Sequence, residues 1–194
     1  EQIDAVGDLE DIDYIILNHM EQDHTGSLNV LRRLLPEATI VGTEKTKGML
    51  ESFYGIADNV RVVEDGDTLA LDGVELTFCA TPFVHWPETM MTLDADRGIL
   101  FSGDGFGVFG ALRGGLFDDQ IRDLAFYERE GIRYFANVVA KFSRPVLKAM
   151  DQFSGVELDM VAPSHGVVWR ENPERILELY QKWAGYGKGP AEPE

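Results

Sequence analysis

Four potential metal ligands fall within six residues, His19-Met20-Glu21-Gln22-Asp23-His24. On extended backbone the side chains alternate between two faces, so positions 19, 21 and 23 would point the same way. His24 would point away unless the chain turns, and Thr25-Gly26 supplies turn chemistry. Only two further histidines exist, His85 and His165. Imidazoles mixed with carboxylates suit zinc or iron, whereas a calcium or magnesium site is built from oxygen ligands and needs no histidine.

These residues share a setting. The apolar run Asp13–Asn18 reads as a buried strand and runs into the six-residue cluster. His85 follows a strand pattern at Glu75–Ala80, Asp104 follows one at Gly98–Ser102, and His165 follows one at Leu158–Ala162. A lone histidine is more often a surface or core residue than a ligand, and Asp-Gly and Ser-His-Gly are ordinary turns. All four histidines at strand ends make a stronger case, because loops on neighbouring strand ends converge. The remaining pattern predicts strands at Thr39–Val41, Val60–Val63, Asp67–Leu71 and Thr89–Leu93, and helices from a Ser27 cap to Leu35 and over Glu44–Phe53. Helical spacing covers 120–153 with a break expected near Arg144-Pro145, and Asn172-Pro173 opens a last helix. The class is mixed α/β, with sheets covered by helices.

Composition narrows the options. With 194 residues the chain holds one domain with a sizeable core. A net charge of -17 disfavours nucleic acid and anionic membrane surfaces as partners. No apolar run is long enough to span a bilayer, and the acidic start does not read as a signal peptide. The single cysteine, Cys79, excludes an internal disulfide and cysteine-rich metal sites, reads as a core residue, and suits a reduced, cytoplasmic setting.

The ordered set His19-x-Glu21-x-Asp23-His24, His85, Asp104, His165 resembles the metallo-β-lactamase superfamily, whose hallmark is HxHxDH followed by His, Asp and His. Glu21 replaces the second histidine, and that variant resembles the flavodiiron proteins. Asp23-His-Thr-Gly-Ser27, His85-Trp-Pro87, Asp104-Gly-Phe-Gly107 and Ser164-His-Gly-Val-Val-Trp-Arg170 are similar to the same family, over about Asp11 to Trp183. The resemblance implies a metallo-β-lactamase-like αββα sandwich over 1–184 with a linker or frayed tail over 185–194. Family domains carry an N-terminal sheet before the first motif and a flavodoxin-like domain after the last, so the chain is expected to be a fragment, incomplete at its N-terminus.

Carried over by motif, the resemblance gives one iron to His19, Glu21 and His85 and a second to Asp23, His24 and His165, with Asp104 bridging. In some members the histidine matching His24 is held back from the metal. Two ferrous ions bring four positive charges against the three carboxylates Glu21, Asp23 and Asp104. Glu21 and Asp104 would be central to catalysis, since Glu21 adds a hard anionic ligand favouring iron. The implied reaction is reduction of O2 to water or of NO to nitrous oxide. Electrons would come from an FMN outside this chain, in a flavodoxin-like domain or from a rubredoxin-like donor, within a head-to-tail homodimer. Trp169 and Arg170 are expected toward the flavin side. Phe83, Trp86 and Phe106 are either walls of a dry gas pocket or plain packing aromatics. The alternatives are a dinuclear zinc hydrolase, against which Glu21 argues, and a non-enzymatic metal-binding remnant.

Overall fold

A computed structural model describes residue 5 and residues 7–188. Two sheets face each other. The first has the order β1-β2-β3, all parallel: β1 (Tyr14–Ile16), β2 (Thr39–Gly42) and β3 (Val60–Val62). The second has the order β4-β5-β6-β7-β8: β4 (Thr68–Leu71), β5 (Val74–Ala80), β6 (Met90–Asp94) and β7 (Ile99–Gly103) run antiparallel, and β8 (Met160–Pro163) joins parallel to β7. Helices α1 (Gln22–Thr25), α2 (Leu28–Leu34) and α3 (Glu44–Tyr54) belong to the first sheet, and α4 (Leu124–Tyr134), α5 (Ser143–Gln152) and α6 (Pro173–Ala184) to the second.

The period-two pattern of the strands builds the layers. On β2, Ile40 packs with Leu28 and Leu50 on the helix side, while the next residue, Val41, packs with Leu76, Phe78 and Met90 between the sheets. The far side of the second sheet carries the largest core, where Leu100 and Val161 meet Tyr134, Val146, Ile176 and Tyr180 of the second helical layer. The result is the expected α/β/β/α layering.

Strand direction places the turns. β5 and β7 are each antiparallel to β6, and β8 is parallel to β7, so these three strands end at the same edge of the sheet. His85, Asp104 and His165 follow those ends.

Three local expectations change. The cluster after β1 does not stay extended: α1 already begins at Gln22. The break in the long helical region lies at 135–142, in a π turn and a 3-10 turn, so α5 starts two residues before Pro145, whose missing N–H is harmless in a first turn. Ser27 stands at the cap position of α2 but its side chain makes no capping bond. Thr43, Asp123 and Asn172 do cap their helices. Residues 185–188 form a 3-10 turn, and 189–194 lie outside the described residues.

Candidate metal centre

Each ligand-type side chain is held by its own local device. Asn18 ends β1 by stitching the sheets together: its Nδ2 donates to Phe101 O (3.1 Å), its Oδ1 accepts from Thr92 Oγ1 (2.8 Å), and its carbonyl accepts from Met90 N–H (3.0 Å). His19 therefore leaves β1 fixed relative to the second sheet. The helical turn of α1 then brings His24 back to the side of Glu21 and Asp23. Buried Thr25 clamps that turn, donating to Met20 O (3.1 Å) or Glu21 O (3.0 Å) and lying 2.7 Å from Tyr54 Oη. Thr89 Oγ1 closes the His85 loop through Thr81 O (2.6 Å) and Trp86 O (2.8 Å).

His165 depends on its neighbour. Ser164 N–H donates to Gly103 O (2.8 Å) and Val108 N–H donates to His165 O (3.1 Å), tying the turn to the Asp104 loop. Gly166 has φ +89°, and a Cβ there would lie 2.7 Å from Val108 O. Gly166→Ala should combine backbone strain with a collision and destabilise the protein by about 2–4 kcal/mol. A thermal midpoint within a degree of the wild type would show that this turn is not the constraint described.

The seven side chains meet, and they divide in two. His19, Glu21, His85 and Asp104 form one group of donor atoms, and Asp23, His24 and His165 form another. Asp104 Oδ2 lies 3.0 Å from His85 Nε2 and 3.7 Å from His19 Nε2. Its Oδ1 lies 2.9 Å from His24 Nε2 and 3.3 Å from His165 Nε2. Glu21 Oε2 is 3.3 Å from His19 Nε2 and 3.2 Å from His85 Nε2. Asp23 lies 3.5 Å from His24 Nε2 and 3.2 Å from His165 Nε2. His24 thus aims at the centre rather than away from it.

This geometry fits ions. Donors held about 2.0–2.2 Å from one ion at roughly 90–110° are about 3.0–3.5 Å apart, close to the spacing seen here. His24 Nε2 and Asp104 Oδ1, although 2.9 Å apart, are not aligned as a hydrogen bond, and both are buried with no hydrogen-bond partner among the described residues. Such atoms need a partner, and a shared cation is one.

The electrostatics are mutual. Burial alone would raise the Asp104 carboxyl, but the facing His165, His24 and His85 imidazoles hold it far below the usual carboxylate range. Asp104 in turn raises His24 and His165 above the ordinary histidine value, against burial. At His85 burial is the largest influence and lowers the value, yet Asp104 and Glu21 together outweigh it. Metal ligands must shed these protons, so ion uptake should strengthen steeply as pH rises past about 6.5. A chelator competition from pH 6 to 8 with no pH dependence would mean that the imidazoles do not ligate.

A cavity of about 520 Å³ opens over the group. Its floor includes Glu21, Asp23, His85, Asp104 and His165, and its walls include Val108, Phe109, Tyr134 and Val138. Among the described residues no lysine or arginine lines it. Of the two readings of the aromatics near the motifs, packing is the one the structure shows. Phe106 is buried and packs edge-on against Tyr180, Phe83 stacks on Phe142, and Trp86 stands edge-on to His19, so none of them lines the cavity. Tyr134 escaped the sequence reading because it lies on a helix far from any ligand motif. Its hydroxyl is buried with no hydrogen-bond partner among the described residues. Burial, followed by the charges of Asp104, Asp23 and Glu21, pushes its phenol well above the ordinary value, so it keeps its proton.

Trp169 and Arg170 do not join this group. Trp169 is 0% exposed within the large core, so it presents no surface of its own. Arg170 lies outward: its guanidinium stacks 3.7 Å over the Phe117 ring and bonds both oxygens of Asp119 (3.1 and 2.9 Å). Buried Asp118, also unforeseen, anchors this turn by accepting the backbone N–H groups of Arg170, Glu171 and Asn172. Cys79 packs at the core margin, and burial raises its thiol to about 11, which makes it a poor nucleophile.

Comparison with known proteins agrees with this architecture. Residues 1–166 match the family model described as ODP family beta lactamase. The anaerobic nitric oxide reductase flavorubredoxin of Salmonella typhi is 42% identical over 181 residues, covering 91% of this chain and 37% of that protein. Among solved structures, rubredoxin oxygen:oxidoreductase from Desulfovibrio gigas superposes with a TM-score of 0.89 at 32% identity, over 94% of this chain and 46% of that one. The flavodiiron protein from Giardia intestinalis gives 0.88 at 32% identity, over 94% and 45%. The chain thus spans less than half the length of these relatives. With its two ligand groups set at the strand ends of a lactamase-like sandwich, the chain belongs to the ODP beta lactamase family and carries a domain of the flavodiiron type.

Proposed function

We propose that this chain is the metal-bearing domain of an oxidoreductase that reduces NO to nitrous oxide, O2 to water, or both. The observation that carries the reading is the division of Asp104, one carboxylate oxygen facing each ligand group. A bridging carboxylate between two nitrogen- and oxygen-rich positions, with Glu21 as an added hard ligand, suits two irons. When bound, two ferrous ions would supply the two electrons needed to couple two NO molecules, with two protons, into N2O and water. Reduction of O2 to water takes four electrons, so both reactions need a supply from outside. We assign that supply to an FMN in a flavodoxin-like domain or a rubredoxin-like donor beyond this chain, within a head-to-tail homodimer.

The chain's own residues fit small neutral substrates. The cavity presents apolar walls and, among the described residues, no lysine or arginine, so apart from the ions themselves it offers no cationic side chain to an anionic ester or phosphodiester. Tyr134, with its proton retained and its hydroxyl unpartnered, is placed to donate a hydrogen bond to whatever occupies the floor. Tyr134→Phe should leave metal content unchanged and lower turnover by roughly 100–1000-fold, a loss typical of removing a positioned donor. Full activity in that variant would remove Tyr134 from the reaction.

The deciding experiment loads the chain anaerobically with iron, reduces it chemically and adds NO in a single turnover. Two irons per chain and one N2O per iron pair are expected. Zinc retention with ester or lactone hydrolysis and no N2O would replace this reading by the zinc hydrolase.

A further inference from the structure

Glu88 stands one layer behind the ligands and belongs to none of the sequence motifs that form them. It is 1% exposed, in the turn between His85 and β6. Its Oε1 accepts from Met20 N–H (3.0 Å) and lies 2.8 Å from His19 Nδ1. An ionised carboxylate can only accept, so Nδ1 carries the proton and the Nε2 lone pair faces Glu21 and Asp104. Glu88 Oε2 is buried with no hydrogen-bond partner among the described residues. A buried anionic oxygen left so is costly unless positive charge lies close by.

The other imidazoles have no such support. Among the described residues no carboxylate lies within ion-pair distance of Nδ1 of His24, His85 or His165. Burial runs the same way for the imidazoles: the His19 and His85 side chains are 2% and 13% exposed, whereas His24 and His165 are 17% and 36% exposed. Charge completes the picture. Glu21, Asp23 and Asp104 meet three of the four positive charges of two divalent ions, and Glu88 meets the fourth through His19.

We infer that Glu88 makes the two metal positions unequal. By pinning the His19 ring with its Nε2 toward the site, it turns the position of His19, Glu21 and His85 into the tightly held one. The position of Asp23, His24 and His165 is then the exchangeable one. Outer carboxylates act on imidazole ligands in this way, pinning the ring. The inference rests on the two-ion reading above, and its test separates the two.

The test follows release of ferrous iron from the anaerobically loaded full chain to a chromogenic chelator. Wild type should release its ions in two phases, one ion per chain in each, with rates at least about tenfold apart. Glu88→Gln keeps an oxygen acceptor for Met20 and His19 but removes the charge, and should speed the slow phase about tenfold or more while leaving the fast phase alone. Asp23→Asn, which alters only the exchangeable position, should retain the slow phase and lose or accelerate the fast one; this arm stands even if the Glu88 variant does not fold. A single release phase for two ions in wild type, or an unchanged slow phase in folded Glu88→Gln, overturns the inference while the two-ion reading stands. A chain that takes up no iron overturns both.

Discussion

Replacing Asp104 by alanine should reduce the protein from two bound ions to at most one and abolish magnetic coupling between them. Every other ligand serves one group, but Asp104 faces both, with Oδ2 toward His85 and His19 and Oδ1 toward His24 and His165. Its removal takes one anionic donor from each position and also the bridge. The loss in affinity should exceed the roughly 10–100-fold that accompanies loss of an outer partner. The ion-free protein should respond too: without the anion that raises them, His24 and His165 should titrate nearer the ordinary histidine value of 6.5. Metal analysis, low-temperature spectroscopy and an NMR titration of the imidazoles read these effects separately. Unchanged metal content and coupling would sink the bridging assignment.

The clustering of the seven candidate side chains was legible because it is written in residue types and order. His19, Glu21, Asp23, His24, His85, Asp104 and His165 all follow strand patterns, and parallel and antiparallel pairing then brings three of those ends to one sheet edge. What supports and walls the site was not legible, because its positions are set by tertiary packing. Glu88 sits three residues past His85 and looks like an ordinary turn acid until folding carries it against His19. Tyr134 belongs to α4, remote in sequence from every ligand, and reaches the cavity only through the packing of the second helical layer. Trp169 shows the converse limit of sequence proximity. Proximity to His165 in sequence suggested a role at the site, but Trp169 pairs across to Val161 and its indole turns into the core. Adjacency along the chain predicts position for residues on turns and fails where the next residue re-enters a sheet.

Removing the metals should lower the thermal midpoint by at least ~10 °C at pH 8 and by clearly less at pH 6. An ion bound only to the native state stabilises it by about 4 kcal/mol when free ion exceeds the dissociation constant a thousandfold. In a chain of this size each kcal/mol is worth roughly 2–4 °C, so even one tightly held ion gives a gap of about that size. The pH dependence follows from the raised imidazoles. His24, His85 and His165 titrate above 6.5 in the ion-free fold, so their protonated forms contribute stability that is fully present below that value. That contribution is lost as pH rises through their folded values, which leaves Glu21, Asp23, Asp104 and Glu88 gathered without positive neighbours. Ions restore the missing charge and bind neutral imidazole, so the loaded protein gains over the same window in which the stripped one weakens. The gap between the two melting curves should therefore widen from pH 6 to pH 8. A gap that stays constant or narrows would show that protons and metal do not compete for the same nitrogen atoms, and would remove the imidazoles from the ligand set.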